Sequence, residues 1–95
     1  MDVVFRKYKS GISKGEIIAL FPHDVCDNQG HVTSYEHIGQ HSGANYTHCI
    51  RISTKATESE YKDLKNELEQ IGYKNLKVVS KQNYNKWLES YRNLN

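Results

Sequence analysis

The chain has 95 residues, of which 37% are hydrophobic and 11% aromatic, and its formal net charge is +2. This length allows one small hydrophobic core and excludes two independent ones, so residues 1–95 are predicted to form a single domain. The longest apolar run, at residues 17–21, is far shorter than the roughly 18 residues that cross a bilayer, and the N-terminus lacks signal-peptide features. We therefore expect a soluble protein of the cytoplasm.

The first part of the chain predicts a β-hairpin. Residues 3–8 are rich in β-branched and aromatic side chains, and residues 10–15 supply a turn with two glycines. Residues 16–21 are almost continuously apolar, which is typical of a strand that is covered on both faces and central in its sheet. Pro22 cannot donate to a strand ladder, so we expect it to end this strand.

The middle of the chain predicts two further strands between loops. Turn-forming residues at 23–30 indicate a polar loop, and residues 32–35 are predicted to form a short strand. Glycines and other small residues at 38–45 indicate an irregular loop. Residues 46–53 are predicted to form another strand, because its two isoleucines would share one face.

A helix at residues 58–71 is the clearest prediction. Thr57 and Glu60 form a capping box before it, and Gly72 fits the left-handed position after it. Its apolar stripe at helical spacing consists of Tyr61, Leu64, Leu68 and Ile71. We expect this stripe to pack the helix across the sheet.

The C-terminal part predicts one strand and one helix. Residues 76–79 are predicted to form a short strand, and residues 82–93 a second helix capped by Asn83 or Ser80. The aromatic and apolar stripe of that helix is expected to lie mostly in the core. The order β-β-β-β-α-β-α predicts an α+β domain, with helices on one face of a mainly antiparallel sheet of four or five strands.

All five histidines and both cysteines lie within residues 23–49. Imidazole and thiolate are the donors that zinc prefers, but the chain has no Cys-x-x-Cys motif, and Gly39 interrupts the pair His37 and His41. We expect the segment 35–41 to be free of metal. Gly39 would supply a special backbone conformation there, and the histidines would bind backbone groups.

The two cysteines, Cys26 and Cys49, are predicted to be free thiols, because no secretion signal precedes them. Cys26 is expected to be the more exposed, in a loop, and Cys49 to be a small packing residue within its strand. No nucleophile motif surrounds either thiol. The sequence therefore predicts no catalytic residue and no cofactor.

Charged and aromatic residues are instead predicted to bind a partner. Residues 58–69 contain five acids and two lysines, whereas five cations and one acid follow Gln70. The acids would face a basic groove in the way that phosphates do, or the basic C-terminal face would contact bound nucleic acid. The candidate partner-binding residues are Tyr35, His37, Gln40, His41, Tyr46, Glu60, Asp63, Glu67, Lys77, Lys81, Lys86 and Trp87.

Two alternative functions stay open. One is an RNA- or DNA-binding module that uses the basic C-terminal face. The other is a ribonuclease-like enzyme, in which His37 and His41 would act as base and acid while Arg51 or Lys55 holds phosphate.

Four segments resemble a group of small proteins found in phages, plasmids and other mobile elements of bacteria. They read ALFP, SYxHIGQH, ATxxEYxxL and GYxxLKVV, and they stand at residues 19–22, 34–41, 56–64 and 72–79. The resemblance extends over most of the chain. By analogy with anti-CRISPR proteins of similar size, it implies a non-enzymatic viral or mobile-element inhibitor that binds a larger protein of the bacterial host, such as an RNA-guided nuclease.

Overall fold

A computed structural model describes residues 1–37 and 40–94, which form six strands and three helices. The strands are β1 (Asp2–Tyr8), β2 (Ile17–Val25), β3 (Val32–Glu36), β4 (Gln40–Ala44), β5 (Ser53–Lys55) and β6 (Lys77–Val78). The helices are α1 (Tyr46–Arg51), α2 (Glu58–Gln70) and α3 (Tyr84–Arg92). The predicted α+β class is confirmed and the predicted order is roughly matched, although α1 and β5 replace the predicted fourth strand and β4 precedes them.

The sheet is mainly antiparallel, as predicted, in the order β4-β3-β2-β1-β5. β1 and β2 form the expected hairpin, and Gly11 and Gly15 in its turn adopt φ angles of 84° and 87°, which favour glycine. The other edge of β1 is shared by two short strands. Antiparallel β5 pairs with the last part of β1, and parallel β6 pairs with its first residues, Asp2 and Val3.

Strand β2 sends alternate side chains into two separate cores. Phe21 packs in one core with Leu68 of α2, whereas Leu20 packs in the other core with Cys49 of α1. The prediction of a central strand covered on both faces is therefore confirmed. Because α1 and α2 lie on opposite faces of the sheet, helices cover both faces rather than the single face that was expected.

The prediction that Pro22 ends the second strand is wrong, because β2 continues to Val25 and shortens the predicted loop at 23–30. The register between β2 and β3 shifts between Leu20 and Val25. Proline lacks an N–H group and is tolerated where a bulge interrupts the ladder. The irregular register therefore accommodates Pro22 without ending the strand.

The predicted loop at 38–45 is also wrong for its described part, because residues 40–44 form β4. This strand pairs with β3 in unbroken register from Val32 opposite Ala44 to Glu36 opposite Gln40. Its small and polar residues give no apolar alternation that could reveal an edge strand. Gly39, for which a special conformation was predicted, lies outside the described residues.

The predicted strand at 46–53 is wrong as well, because this segment forms α1 and the start of β5. The side chain of Asn45 caps α1 by accepting a hydrogen bond from the backbone N–H of His48 at 3.0 Å. Tyr46, Cys49 and Ile50 then contact the same core at helical spacing. In so short a segment, the two isoleucines fitted a strand equally well.

The predicted helix at 58–71 is confirmed as α2, with Leu64 and Leu68 buried. Gly72 follows it at a φ of 119°, and the N–H of Tyr73 donates to the carbonyl of Leu68 at 3.1 Å, which completes a Schellman motif. The C-terminal strand is confirmed as the shorter β6. The second predicted helix is confirmed as α3, capped by Asn83.

Candidate functional site

A groove of about 530 Å³ lies between α2 and the end of the sheet where β2 begins and β3 ends. Ile17 and Leu64 provide an apolar lining, because each belongs to or packs against the core beneath α2. The titratable residues around the groove, called the acidic groove below, are Glu16, Glu36, His37, Glu60, Asp63 and Glu67. Glu16 and Glu36 were not among the predicted site residues, because they come from strand ends far from α2 in the sequence.

Glu67 connects α2 to the end of β3. The buried hydroxyl of Tyr35 donates a hydrogen bond to Glu67, and Nδ1 of His37 lies 2.6 Å from Oε1 of Glu67. The side chain of His37 is 75% exposed, so its ring stands at the mouth of the groove. Three of the predicted partner-binding residues are therefore brought together, but Tyr35 and Glu67 also stabilise the fold.

Glu60 holds the start of α2. Its carboxylate accepts from the Nζ of Lys7 at 2.6 Å and from the backbone N–H of Thr57 at 2.9 Å, as the capping box predicts. The hydrogen bond from Lys7, followed by the one from Thr57, lowers the pKa of Glu60 to about 2. This carboxylate is therefore ionised at neutral pH and already has a cationic partner.

The remaining groove carboxylates differ in what they contact. Glu36 accepts from the hydroxyl of Tyr8 at 3.2 Å, and burial together with this carboxylate raises the pKa of Tyr8. The side-chain carboxylates of Asp63 and Glu16 make no hydrogen bond and no ion pair within the described part of the chain. Asp63 and Glu16 are thus the groove carboxylates whose oxygens have no described partner, while Glu36 has only a neutral one.

A second charged surface lies near the other end of β2. Lys77 of β6, Lys81 of the following segment and Lys86 of α3 surround a shallow concavity that also includes Tyr84. We call these four residues the basic patch. His23, which lines the same concavity, stands six positions after Ile17 on β2, so about 20 Å of strand separates the two surfaces.

His23 positions the start of α3 beside the basic patch. Its Nε2 accepts from the backbone N–H of Asn83 at 2.8 Å, so the proton of the neutral ring is on Nδ1, which lies 3.3 Å from Oδ2 of Asp2. Burial lowers the pKa of His23, and the nearby Lys86 lowers it further, whereas Asp2 acts in the opposite direction. His23 is therefore a neutral link between β1, β2 and α3 at pH 7.

The aromatic stripe of α3 is more exposed than expected. Tyr84 is 65% exposed and Tyr91 is 38% exposed, although most of the stripe was predicted to lie in the core. The rings of Tyr84 and Trp87 stack with centroids 5.8 Å apart, and those of Trp87 and Tyr91 with centroids 5.5 Å apart. Tyr84 directly follows the cap residue, so it projects beyond the part of α3 that packs on the protein.

Three other predicted partner-binding residues make internal contacts. Nε2 of His41 lies 2.9 Å from the hydroxyl of Tyr73, and the hydroxyl of Tyr46 accepts from the backbone just before α3 at 2.8 Å. The Nε1 of Trp87 donates to the carbonyl of Gly30 at 3.1 Å. Tyr46 and Trp87 line one shallow cavity together with Tyr84, whereas His41 lies elsewhere, beside Tyr73.

The two thiols differ in exposure, and their surroundings bear on both catalysis and metal binding. Cys26 is exposed and Cys49 is buried, both as free thiols, in agreement with the sequence. Burial raises the pKa of each thiol, which disfavours the thiolate that a nucleophile requires. Within residues 1–37 and 40–94, no group of three His, Cys, Asp or Glu side chains could hold a metal ion.

The ribonuclease alternative finds little support in this geometry. His37 stands among the carboxylates of the acidic groove, where an RNA phosphate would be repelled. His41 instead contacts Tyr73, and its ring meets that of Tyr35 edge to face. The two imidazoles therefore have different hydrogen-bond partners, Glu67 and Tyr73.

Comparisons of the chain with protein-family models, with curated proteins and with solved structures find no match. Among the described helices, none is long and apolar enough to cross a membrane. Function must therefore be inferred from the acidic groove and the basic patch themselves.

Proposed function

We propose that this chain is a non-enzymatic binding protein whose acidic groove takes a cationic segment of a larger protein. The observation that supports this most directly is the combination of two unpaired carboxylates, Asp63 and Glu16, with an apolar lining at Ile17 and Leu64. Lysine and arginine join an apolar stem to a charged head. Such a side chain would place its stem on the lining and its head between the carboxylates.

The groove carboxylates that already have a partner in the protein contribute to binding in another way. Glu60 and Glu67 are held by contacts to β1 and β3, so they fix the shape of the groove while adding negative potential to it. Complementary potentials of this kind accelerate association and select partners more than they add affinity. The acidic groove would therefore favour a strongly basic surface over a neutral one.

Strongly basic surfaces are found where proteins hold nucleic acid, since lysine and arginine neutralise phosphates there. We extend the proposal to the nucleic-acid channel of a host RNA-guided nuclease, in line with the resemblance to mobile-element proteins and the analogy with anti-CRISPR proteins. Occupation of such a channel would exclude the nucleic acid by competition. The protein would then act in the cytoplasm of a bacterial host.

The test compares two double variants with the same change of charge. Asp63→Asn with Glu16→Gln removes the unpaired carboxylates, whereas Glu58→Gln with Glu69→Gln removes two exposed acids that do not line the acidic groove. Each rim ion pair contributes about 0.2–1 kcal/mol, so we expect the groove variant to bind its captured partner roughly 2- to 30-fold more weakly.

The partner is captured from lysate of the native host, identified, and titrated by calorimetry with both double variants. Equal effects of the two variants would contradict a role for the acidic groove. The extension to nucleases is wrong if the protein leaves the cleavage activity of every RNA-guided nuclease of its host unchanged.

A further inference from the structure

Three lysines from residues 77–86 meet at the basic patch around one acid, Asp2, which is distant from them in the sequence. Asp2 of β1 pairs in parallel register with Lys77, and Oδ2 of Asp2 lies 3.7 Å from the Nζ of Lys86. Asp2 is the only carboxylate among the described residues that line this concavity, and His23 already contacts it. Lys77 and Lys81 have no ion-pair partner within the described residues, so positive charge predominates.

The same concavity includes an exposed aromatic ring in a fixed position. Tyr84 stacks on Trp87 with an angle of 29° between the rings, and Trp87 is itself held by Gly30 and by the ring of Tyr91. The hydroxyl of Tyr84 makes no hydrogen bond to any described residue. A ring that is already oriented loses little conformational entropy when it binds a flat ligand.

We propose that the basic patch binds single-stranded nucleic acid, independently of the acidic groove and of its partner. Lys77, Lys81 and Lys86 neutralise successive phosphates, and a base stacks on the ring of Tyr84. Grooves that pair lysines with exposed aromatic rings hold single strands in this manner, because every base has a face that can stack.

The exposed ring selects a single strand over other polyanions. The bases of a duplex are stacked inside it and cannot reach Tyr84 without being unpaired. An acidic protein segment would use the three lysines but has no base for the ring. Lysine contacts to phosphate carry no sequence information, so we expect little preference between sequences.

The experiment measures, by fluorescence anisotropy, the binding of labelled oligo(dT) and oligo(U) of about 15 nucleotides. The salt concentration is varied from about 25 to about 200 mM NaCl, because phosphate contacts make affinity depend on salt. Three phosphate contacts on a single strand predict that log K falls against log salt with a slope of about −2. The variant Lys77→Gln, Lys81→Gln, Lys86→Gln should remove most of this slope. The matched control replaces three exposed lysines outside the basic patch, Lys9, Lys14 and Lys62.

Two substitutions of Tyr84 separate stacking from charge. Tyr84→Ala should weaken binding about 5- to 150-fold, which corresponds to the loss of one stacked base. Tyr84→Phe retains the ring and should bind like the unmodified chain. Thermal melting of both variants checks that the fold is intact, as the 65% exposure of Tyr84 leads us to expect.

The proposal is overturned by absence of binding at the lowest salt, or by equal losses in the patch variant and the lysine control. It is also overturned if Tyr84→Ala binds unchanged, or if a duplex of the same length binds equally well, because the basic patch would then accept any polyanion. Asp63→Asn with Glu16→Gln should leave oligonucleotide binding unchanged. A failure of the acidic groove is thereby distinguished from a failure of the basic patch.

Discussion

The acidic groove and the basic patch lie at opposite ends of β2 and hold their charges in different ways. In the groove, Glu60 contacts Lys7 and Glu67 contacts β3, so two of the carboxylates stabilise the protein itself. In the patch, Lys77 and Lys81 contact no acid within the described residues. The number of charges in a segment therefore does not measure the charge that a ligand can reach.

This difference has a consequence for stability. An exposed charge without a partner contributes little to the free energy of unfolding. A carboxylate that accepts a hydrogen bond from a buried hydroxyl contributes more. We therefore expect variants of Glu60 and Glu67 to affect both folding and binding, and variants of Lys77 and Lys81 to affect binding alone.

The largest expected effect is a loss of the fold itself, which would remove both binding surfaces at once. Leu68→Ala empties a fully buried position between α2 and the sheet and should lower the free energy of unfolding by about 2–5 kcal/mol. A small domain unfolds cooperatively, so urea denaturation should show one transition and both binding activities should be lost with it. The control is Ile71→Ala, because Ile71 is 51% exposed and should cost less than about 0.5 kcal/mol.

The next prediction tests whether Glu67 stabilises the fold. Glu67→Ala leaves the hydroxyl of Tyr35 without this acceptor and should cost about 1–3 kcal/mol in urea denaturation. Tyr35→Phe removes the donor, so the double variant should cost less than the sum of the two single variants. Additive costs would show that the two side chains are not coupled.

The local signals in the sequence explain which elements were predicted. For α2, the capping box, the apolar stripe and Gly72 all lie within or beside the helix, and they agree with one another. β4 is stabilised by its backbone pairing with β3, and its own residues show no strand pattern. α1 is six residues long, and in so short a segment the spacing of apolar residues fits the period of a strand as well as that of a helix.

The same reasoning applies to the candidate site. Segment charges predicted an acidic surface on α2 and a basic surface in the C-terminal part, since the two segments differ in composition. They did not predict that Glu16 and Glu36 join the acids of α2 in one groove. The pairing of Glu60 with Lys7, 53 positions away, depends on how β1 lies beside α2 and leaves no trace in the local sequence. The exposure of Tyr84 likewise depends on where α3 packs, which its helical stripe alone does not determine.

A third prediction concerns pH at the basic end. Burial lowers the pKa of His23 below its ordinary value of 6.5, so below pH 6.5 the unfolded chain takes up a proton that the folded chain resists. The stability contributed by neutral His23 should therefore be present above pH 6.5 and decrease as the pH falls toward the lowered pKa. Protonated Nε2 could no longer accept from the N–H of Asn83, so the start of α3 should loosen.

Fluorescence of Trp87, which contacts Gly30, reports whether α3 stays in place between pH 7.5 and pH 5, a window set by the ordinary pKa of histidine near 6.5. His23→Gln should flatten the pH dependence, while the exposed histidine variant His48→Gln should retain it. If both variants follow the unmodified chain, His23 is not the group responsible.

The smallest expected effect is also the sharpest test of the difference between the two surfaces. Lys77→Gln and Lys81→Gln remove charges that have no partner in the described structure, so the free energy of unfolding should change by less than about 0.5 kcal/mol. Lys7→Gln removes the same charge but breaks the contact with Glu60, so its cost should exceed that of either patch variant and diminish at high salt. Urea denaturation at low and high salt compares the three variants. Equal costs would mean that the groove charges are as independent of the fold as those of the patch, and the contrast between the two ends of β2 would disappear.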